Sequence, residues 1–380
     1  GMIQETMSRQ ERFEAVVALD KPDRVPVMPL MTAFAIRSQG LTQGEGWRDP
    51  DKGARAMLDT FNALGGFDRL YKPNLYWPMI GGRFCSTPVR VLLPGRQLPE
   101  DALNQIDERE LFSRDDYDKI AALGWNRFWD EHYSVMSQGR PMERLVFSQN
   151  QLLDRYVKEI ETCQANDIYP LFGAYVDSVV MAFSMARTLT QFTMDLFEVP
   201  QKVKAAMDAV CDDLIQNALD VVARTGIPLV FIVLERGSGF YYRPEIFEQF
   251  EWPYLQRYVD AFISEGITPW FHFDTDWSLN LPYLKQLPKA KCICDLDSTT
   301  DIFKAKEILD GHMCISGDVP AALLTLGTPD DVGDYCRRLI DNVGKGGGFF
   351  LTTGCECPMD AKFENVKMMI DTAKSYAGKE

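Results

Sequence analysis

Three residues with metal-binding side chains stand where predicted strands end. His272 and Asp274 follow the apolar run 267–271, and they point to one side because side chains alternate between the two faces of a strand. Cys355 follows a second apolar run, 347–353. Zinc accepts imidazole nitrogen, carboxylate oxygen and thiolate sulfur, and three protein ligands leave a fourth position for substrate. The alternatives are a polar strand end followed by a helix cap, and a cysteine that packs as a small hydrophobe.

Carboxylates and one tyrosine stand at the ends of the other predicted strands. They are Asp68 and Tyr71 after the second strand, Asp177 after the third, Glu235 after the fourth, Asp295 and Asp297 after the sixth, and Asp318 after the seventh. Such carboxylates often cap helices or brace loops, and we expect that role for Asp295, Asp297 and Asp318. The close spacing of Cys355 and Cys357 is not that of a zinc ribbon, so the sequence predicts that only one of them binds metal. Cys292 and Cys294 lie within a predicted strand and should pack in the interior.

The elements that must position these residues alternate regularly along the chain. Short apolar strands are predicted at 25–30, 67–71, 168–173, 228–234, 266–272, 291–295, 312–316 and 347–353. Helices are predicted at 8–19, 51–64, 191–196, 200–224, 244–265, 279–287, 300–310, 329–343 and 361–377. Continuous apolar strands that alternate with helices indicate a parallel sheet covered on both faces. The predicted fold is therefore α/β, a (β/α)8 TIM barrel whose strands all end at one rim.

The chain is longer than a plain barrel. A (β/α)8 barrel needs about 250 residues, whereas this chain has 380. The surplus fits an excursion at about 74–165, an insertion between strands two and three that should supply helices and any lid. We therefore expect residues 1–380 to form a single barrel domain. An open doubly wound sheet is the alternative, but no glycine-rich dinucleotide fingerprint follows the first strand.

The composition of the chain limits the kinds of partner that it can bind and indicates its cellular compartment. The sequence is 46% hydrophobic and carries a formal net charge of −15, which argues against nucleic acid and anionic membranes as partners. No run approaches the roughly 18–20 apolar residues of a membrane span. Gly1 before Met2 is typical of an expression scar, and the sequence after it shows no signal-peptide pattern. Nine scattered cysteines then indicate reduced thiols, so we expect a cytoplasmic protein.

Short motifs along nearly the whole chain carry a family resemblance. They are Arg12-Phe13, Asp23-Arg24-Val25-Pro26, Arg243-Pro244-Glu245-Ile246-Phe247, Trp252-Pro253-Tyr254-Leu255, Gly317-Asp318-Val319-Pro320, Leu326-Gly327-Thr328-Pro329, Thr353-Gly354-Cys355 and Asn365-Val366. With these motifs the chain resembles the uroporphyrinogen decarboxylase superfamily, in particular its corrinoid-dependent methyltransferase branch. The resemblance also implies a homodimer.

The decarboxylases of this superfamily differ from the chain after the first strand. They carry an arginine-rich segment there that binds the many carboxylates of the substrate, whereas segment 31–37 holds one arginine, Arg37. Their catalytic aspartate near strand two would correspond to Asp68. A lyase acting on a tetrapyrrole therefore stays as an alternative, but we expect no useful decarboxylation of uroporphyrinogen.

The methyltransferases of the superfamily resemble the chain more closely. They carry His-x-Cys after strand five and a cysteine after strand eight, and these residues bind zinc. His272 and Cys355 match, Asp274 replaces the middle cysteine, and Glu235 is the candidate for a further carboxylate ligand. The resemblance thus implies zinc or another divalent metal on His272, Asp274, Cys355 and Glu235. The predicted catalytic residues are Asp68, Tyr71 and Glu235.

The resemblance, together with these residues, implies corrinoid-linked methyl transfer in either direction. A free thiol with a pKa near 8.5 is mostly protonated at neutral pH, whereas a thiol on zinc is deprotonated. Such a thiolate could accept a methyl group from a methyl-corrinoid, and a harder, aspartate-containing site would also suit polarising a methyl donor for the reverse transfer. The expected partners are a small-molecule methyl donor or thiol acceptor and a separate corrinoid protein, because no cobalamin-binding segment is recognisable here. The remaining alternative is a non-catalytic barrel that binds a small ligand.

Overall fold

Strands and helices alternate along the chain, and the computed structural model describes residues 1–73, 90–136, 149–171 and 173–379. The helices are α1 (Arg9–Val17), α2 (Ala33–Ser38), α3 (Gln43–Arg48), α4 (Pro50–Ala63), α5 (Asp116–Leu123), α6 (Trp125–Met136), α7 (Gln149–Ala165), α8 (Val179–Arg187), α9 (Leu189–Glu198), α10 (Pro200–Thr225), α11 (Pro244–Ile246), α12 (Trp252–Ser264), α13 (Ile302–Leu309), α14 (Ala321–Leu326), α15 (Pro329–Asn342) and α16 (Phe363–Ser375). The strands are β1 (Val27–Met28), β2 (Arg90–Leu92), β3 (Gln105–Asp107), β4 (Ala174–Asp177), β5 (Leu229–Leu234), β6 (Thr268–Phe273), β7 (Ile293–Leu296), β8 (Cys314–Val319) and β9 (Phe349–Thr353). A π-helical segment, Phe247–Glu251, joins α11 to α12, and a 3-10 helix spans Leu281–Gln286.

Seven of these strands form one parallel sheet in the order β1-β9-β8-β7-β6-β5-β4. Almost every side chain of β5 to β9 is buried, as expected of parallel strands covered on both faces. Helices α10, α12, α15 and α16 pack against the sheet or one another. The predicted α/β class with a parallel sheet is therefore confirmed. Within the described parts of the chain, none of the helices combines the length and the apolar character that crossing a bilayer requires.

The predicted second strand, 67–71, lies between the two edges of this sheet. On one side, the backbone N–H of Asp68 donates to the carbonyl of Val27, the first residue of β1, at 3.0 Å. On the other side, Leu70 bonds with the carbonyl of Tyr169 at 2.9 Å and with the N–H of Leu171 at 2.6 Å, in a single parallel bridge. These bonds connect β1 with the segment that leads into β4, as the predicted (β/α)8 barrel requires.

The structure corrects several predicted boundaries. The third sheet strand is β4, Ala174–Asp177, rather than 168–173, and β1 has only two residues. Helices α2, α3, α8 and α14 were not predicted. Helix α8 shows why such a helix is hard to predict from sequence. All nine of its residues are buried, so no polar face marks its helical period.

The excursion at about 74–165 is partly outside the described residues. Its predicted hairpin-like alternation from Phe84 to Leu93 falls mostly in that part, while β2 and β3 pair antiparallel and α5 and α6 pack against α10. Two of its carboxylates form ion pairs with the barrel: Glu108 with Arg236, which follows β5, and Glu110 with Arg187 at 2.5 Å. The excursion thus contacts the end of the sheet where the strands terminate. A single domain over residues 1–380 stays a prediction.

Candidate metal centre

His272 is held in one orientation by a neighbouring strand. It lies on β6, and its register partner on β7 is Asp295. Asp295 is fully buried, and its Oδ2 accepts a hydrogen bond from His272 Nδ1 at 2.6 Å and another from Trp270 Nε1 at 3.1 Å. The hydroxyl of Thr352 lies 3.4 Å from the other carboxylate oxygen. Because Nδ1 carries the donated proton, Nε2 is the nitrogen left to act as a ligand.

The Nε2 atom of His272 faces a group of three donors at the rim. It lies 3.1 Å from Oδ1 of Asp274, the residue directly after β6. The sulfur of Cys355 completes the group, and all three donor atoms lie within 4.8 Å of one another. Metal–ligand bonds of about 2.0–2.3 Å to a tetrahedral zinc ion place ligand atoms roughly 3.3–3.8 Å apart, so small side-chain adjustments would suffice. The structure thus brings together the three residues that the sequence predicted.

The loop after β9 positions Cys355 through contacts on both sides. The hydroxyl of Thr353 accepts from the N–H of Leu30 at 3.0 Å and donates to the carbonyl of Cys355 at 2.6 Å. A Cβ on Gly354 would lie 2.8 Å from the carbonyl oxygen of Asp297, so only glycine fits without a shift of backbone. Gly354 is needed for this close approach of two loops.

Cys355 differs from the other cysteines in its exposure. Of the eight cysteines among the described residues, it alone is exposed and the other seven are buried. Burial raises the pKa of the Cys357 thiol well above its usual range. Cys292 and Cys294 are fully buried, which confirms that they pack in the interior. The alternative of Cys355 as a buried small hydrophobe is therefore wrong.

Acidic side chains concentrate negative charge around His272. Burial by itself lowers the pKa of the imidazole, but the Asp274 carboxylate, together with hydrogen bonds to Asp274, Asp295 and Cys355, raises it well above the ordinary value. The protonated imidazole offsets part of the charge of these acidic neighbours. A divalent cation among the same donors would offset that charge more completely.

Glu235 and Tyr71 lie near the group without belonging to it. Glu235 follows β5, and burial and the charge of Asp274 raise its pKa, while the hydroxyl of Tyr241 donates to it at 3.3 Å. The buried ring of Tyr71 lies 5.6 Å from that of Phe231, which in turn stacks 5.2 Å from the imidazole of His272. The predicted fourth ligand and the predicted catalytic tyrosine are thus neighbours of these three side chains, and their roles stay predictions.

Asp68 lies at the opposite end of the sheet from this group. Its carboxylate is fully buried and accepts hydrogen bonds at 2.8 Å from Arg12, from Arg24 and from the N–H of Val27, at the start of β1. The prediction that Asp68 stands at the reactive ends of the strands is therefore wrong. The aspartate anchors the amino-terminal segments instead, because two arginines and a backbone donor occupy both of its oxygens.

The roles expected of the other aspartates are confirmed in part. Asp297 braces the loop after β6 by accepting from the N–H of Thr275 at 2.8 Å. Asp318 does not brace a loop: it is buried against the hydroxyl of Tyr335 on α15, and burial raises its pKa to about 7. Asp295 was wrongly expected to cap or brace, although one signal was present, since it and His272 both end their predicted strands.

Comparisons with known proteins show similarity to one family. A family model described as uroporphyrinogen decarboxylase (URO-D) matches residues 143–376. Proteins named Methylcobamide:CoM methyltransferase MtbA, from Methanosarcina acetivorans and Methanosarcina mazei, are each 24% identical over 227 residues, and the match covers 59% of this chain and 61% of theirs. The chain thus aligns with less than two thirds of the length of either relative.

A solved structure extends the likeness to the whole fold. A methyltransferase from Methanosarcina mazei superposes with a TM-score of 0.70 at 15% identity, over 97% of this chain and 98% of that chain. At this identity the likeness shows the fold. Because the family model matches more than half of the sequence, the chain belongs to the uroporphyrinogen decarboxylase family.

Proposed function

We propose that the protein is a metal-assisted methyltransferase that moves a methyl group between a small molecule and a corrinoid carried by a separate protein. The observation that carries the proposal is the group of His272, Asp274 and Cys355 at the rim, backed by buried Asp295. The methyl group and the corrinoid come from the relatives, whose printed name is methylcobamide:CoM methyltransferase. The metal, the small molecule and the direction of transfer are parts of the proposal.

The chemistry of the donors suits zinc. One imidazole nitrogen, one carboxylate and one thiolate are all zinc ligands, and three ligands leave a position open for substrate. With neutral His272 and anionic Asp274 and Cys355, the ligand charges balance a divalent ion. The side chain of Asp274 is 27% exposed and Cys355 is also exposed, so solvent and substrate can reach this side of the group.

Each residue then has a distinct task. Asp295 keeps the Nδ1 proton of His272 in place and so presents Nε2 at the rim. Asp274 and Cys355 complete the set of donors, and Glu235 would hold a bound metal as a fourth ligand in the absence of substrate. A divalent ion in this site would favour the thiolate form of a thiol substrate or polarise a methyl donor. The raised pKa of Glu235 also suits it to hold a proton beside the substrate.

The surroundings of the group do not favour a substrate with many carboxylates. In segment 31–37 the apolar side chains are buried, and Arg37 points to solvent and pairs with Asp101 at 2.6 Å. Lys72 is buried and pairs with Glu356 at 3.0 Å. Because these cations already have partners, we expect incubation with uroporphyrinogen to yield no coproporphyrinogen. Robust turnover would contradict the methyltransferase proposal.

Metal content separates the enzyme from a barrel that only binds a ligand. Protein purified without chelators should contain about one zinc per chain, as the single group of donors predicts. His272→Ala and Cys355→Ala should each lose most of that zinc, while buried Cys357→Ala should keep it. Unchanged far-ultraviolet circular dichroism would show that the variants fold. Well under one metal per chain in the natural protein, or a fully loaded Cys355→Ala variant, would contradict the site.

The methyl transfer itself is tested with the corrinoid. Methylcobalamin and a panel of small thiols should show loss of the methyl-corrinoid absorbance only with zinc-loaded protein, and reduced corrinoid with methyl donors tests the reverse direction. His272→Ala should abolish either change. Methyl transfer at full rate without any corrinoid would show that the carrier is not part of the reaction.

A further inference from the structure

A cavity lies at the end of the sheet opposite the candidate metal centre. It has a volume of about 530 Å³ and is lined by residues that lead into the strands, including Leu229 and Thr268, the first residues of β5 and β6. Helix α1 covers it. Its size falls within the roughly 300–1,000 Å³ of small-molecule sites. Most of the lining is apolar, with side chains of Phe13, Val17, Leu171, Ile227, Ile263 and Ile267.

One buried cation in this lining lacks a matching anion. Arg69 is only 7% exposed, and its Nε has no hydrogen-bond partner. Its one hydrogen bond given by the structure goes to the neutral amide of Gln10. None of the described carboxylates lies within ion-pair distance, although the charges of Asp68 and Glu14 act on the guanidinium from farther away. The nearest aspartate in sequence, Asp68, is already occupied by Arg12 and Arg24.

Two aromatic rings hold the guanidinium of Arg69 in place but do not neutralise its charge. The group lies 4.8 Å from the ring centre of Phe13 and 5.8 Å from that of Tyr169, so two aromatic rings hold it at the cavity wall. Burial lowers its pKa to about 10, which reflects a charge removed from water without full compensation. Lys291 adds a second cation to the lining, and Glu14 a carboxylate that accepts from Gln10 at 2.6 Å.

We propose that this cavity is a second binding site, for a small molecule with an apolar body and one anionic head, a carboxylate or a phosphate, which pairs with Arg69. The apolar lining would take the body, and the guanidinium of Arg69, which lines the cavity and has no ion-pair partner among the described carboxylates, would pair with the head. Arginine suits both anions because its planar guanidinium presents two parallel donors. The site does not depend on the proposed methyl transfer.

Binding is tested calorimetrically with octanoate and octyl phosphate, and with octanol as the uncharged probe. One or both anions should bind saturably, and comparison of the two identifies the preferred head group. Arg69→Met should weaken the binding at least tenfold, about 1.4 kcal/mol, while Arg69→Lys retains part of it. Thr268→Phe should block the cavity, and Arg257→Met, an exposed arginine paired with Asp212, should change nothing.

Stability distinguishes a binding arginine from a structural one. Because Arg69 is buried without an ion-pair partner, Arg69→Met should unfold at the same or a higher urea concentration than the natural protein. Absence of saturable binding by both anions, equal affinity for octanol, or undiminished binding in both Arg69→Met and Thr268→Phe would each overturn the proposal. If Arg69→Met fails to fold and Thr268→Phe binds the anions as the natural protein does, Arg69 has a structural role and the proposal is also overturned.

Discussion

Asp295→Asn tests whether the metal centre depends on the orientation of His272. The substitution keeps the shape of the side chain, and its amide oxygen can still accept from Nδ1, but the charge is lost. In the natural protein this bond is 2.6 Å long and fully buried. A hydrogen bond to a charged group contributes about 1.5–3 kcal/mol, and each 1.4 kcal/mol is a factor of ten in affinity. We therefore expect zinc to bind about 10–100-fold more weakly, the loss typical of such partners of metal-binding histidines.

Competition with a chromogenic zinc chelator measures this affinity directly. Asp297→Asn is the matched control, because it removes the same charge two residues further along but its carboxylate contacts the N–H of Thr275 rather than His272. It should weaken zinc binding far less. An equal loss of zinc affinity in both variants would show that only the overall negative charge near the site matters, and not the contact with His272. An unchanged affinity in Asp295→Asn would refute the argument that this carboxylate prepares His272 as a ligand.

Further predictions concern stability and the loops. Burial raises the pKa of Glu251 to about 8 from 4.5; the unfolded chain therefore loses this proton first, and stability falls as pH rises between these two values. At about 1.36 kcal/mol per pKa unit the full loss is on the order of 5 kcal/mol. Urea unfolding from about pH 5 to about pH 9 should show this slope flattened in Glu251→Gln and unchanged in exposed Glu245→Gln. Gly354→Ala would put a methyl group 2.8 Å from the carbonyl of Asp297, so it should lower the unfolding free energy by about 1–3 kcal/mol and weaken zinc binding in the same samples. Removing the metal with a chelator should abolish methyl transfer but leave far-ultraviolet circular dichroism unchanged, because the strands that carry the ligands are held by backbone hydrogen bonds and a buried core.

The parts of the fold that followed from sequence are those with continuous apolar strands. Strands β5, β6 and β9 begin and end within two residues of the predicted bounds. Burial on both faces of the sheet makes their sequences continuously apolar, and this pattern is easy to recognise. The run 168–173 is equally apolar, yet strand β4 begins at Ala174, and the described residues of the run form one isolated bridge, with Leu70. Burial alone does not reveal which apolar residues enter the sheet ladder.

The sequence predicted those residues of the candidate site that can be identified from their type and their place after a strand. It did not predict roles that depend on contact with a residue distant in sequence. His272, Asp274 and Cys355 could be identified from their chemistry and their place after strands. The task of Asp295 depends on its register opposite His272, which is set by contacts between strands distant in sequence. Asp68 was misplaced for the converse reason: its two arginine partners, Arg12 and Arg24, belong to segments whose packing the local pattern does not specify.

The donors at the rim differ in how the chain holds them. His272 and Asp295 sit in the hydrogen-bonded ladder, so inserting or deleting one residue in either strand would turn a side chain to the wrong face. Asp274 and Cys355 belong to the turns that follow their strands, where a substitution leaves the ladder intact. Exchange of one turn residue can therefore alter the hardness of the candidate metal site while the scaffold persists, and Asp274, where the resemblance to the family's methyltransferases implies a cysteine, is such an exchange. A barrel of this kind can evolve new metal and substrate preferences by single substitutions in its turns.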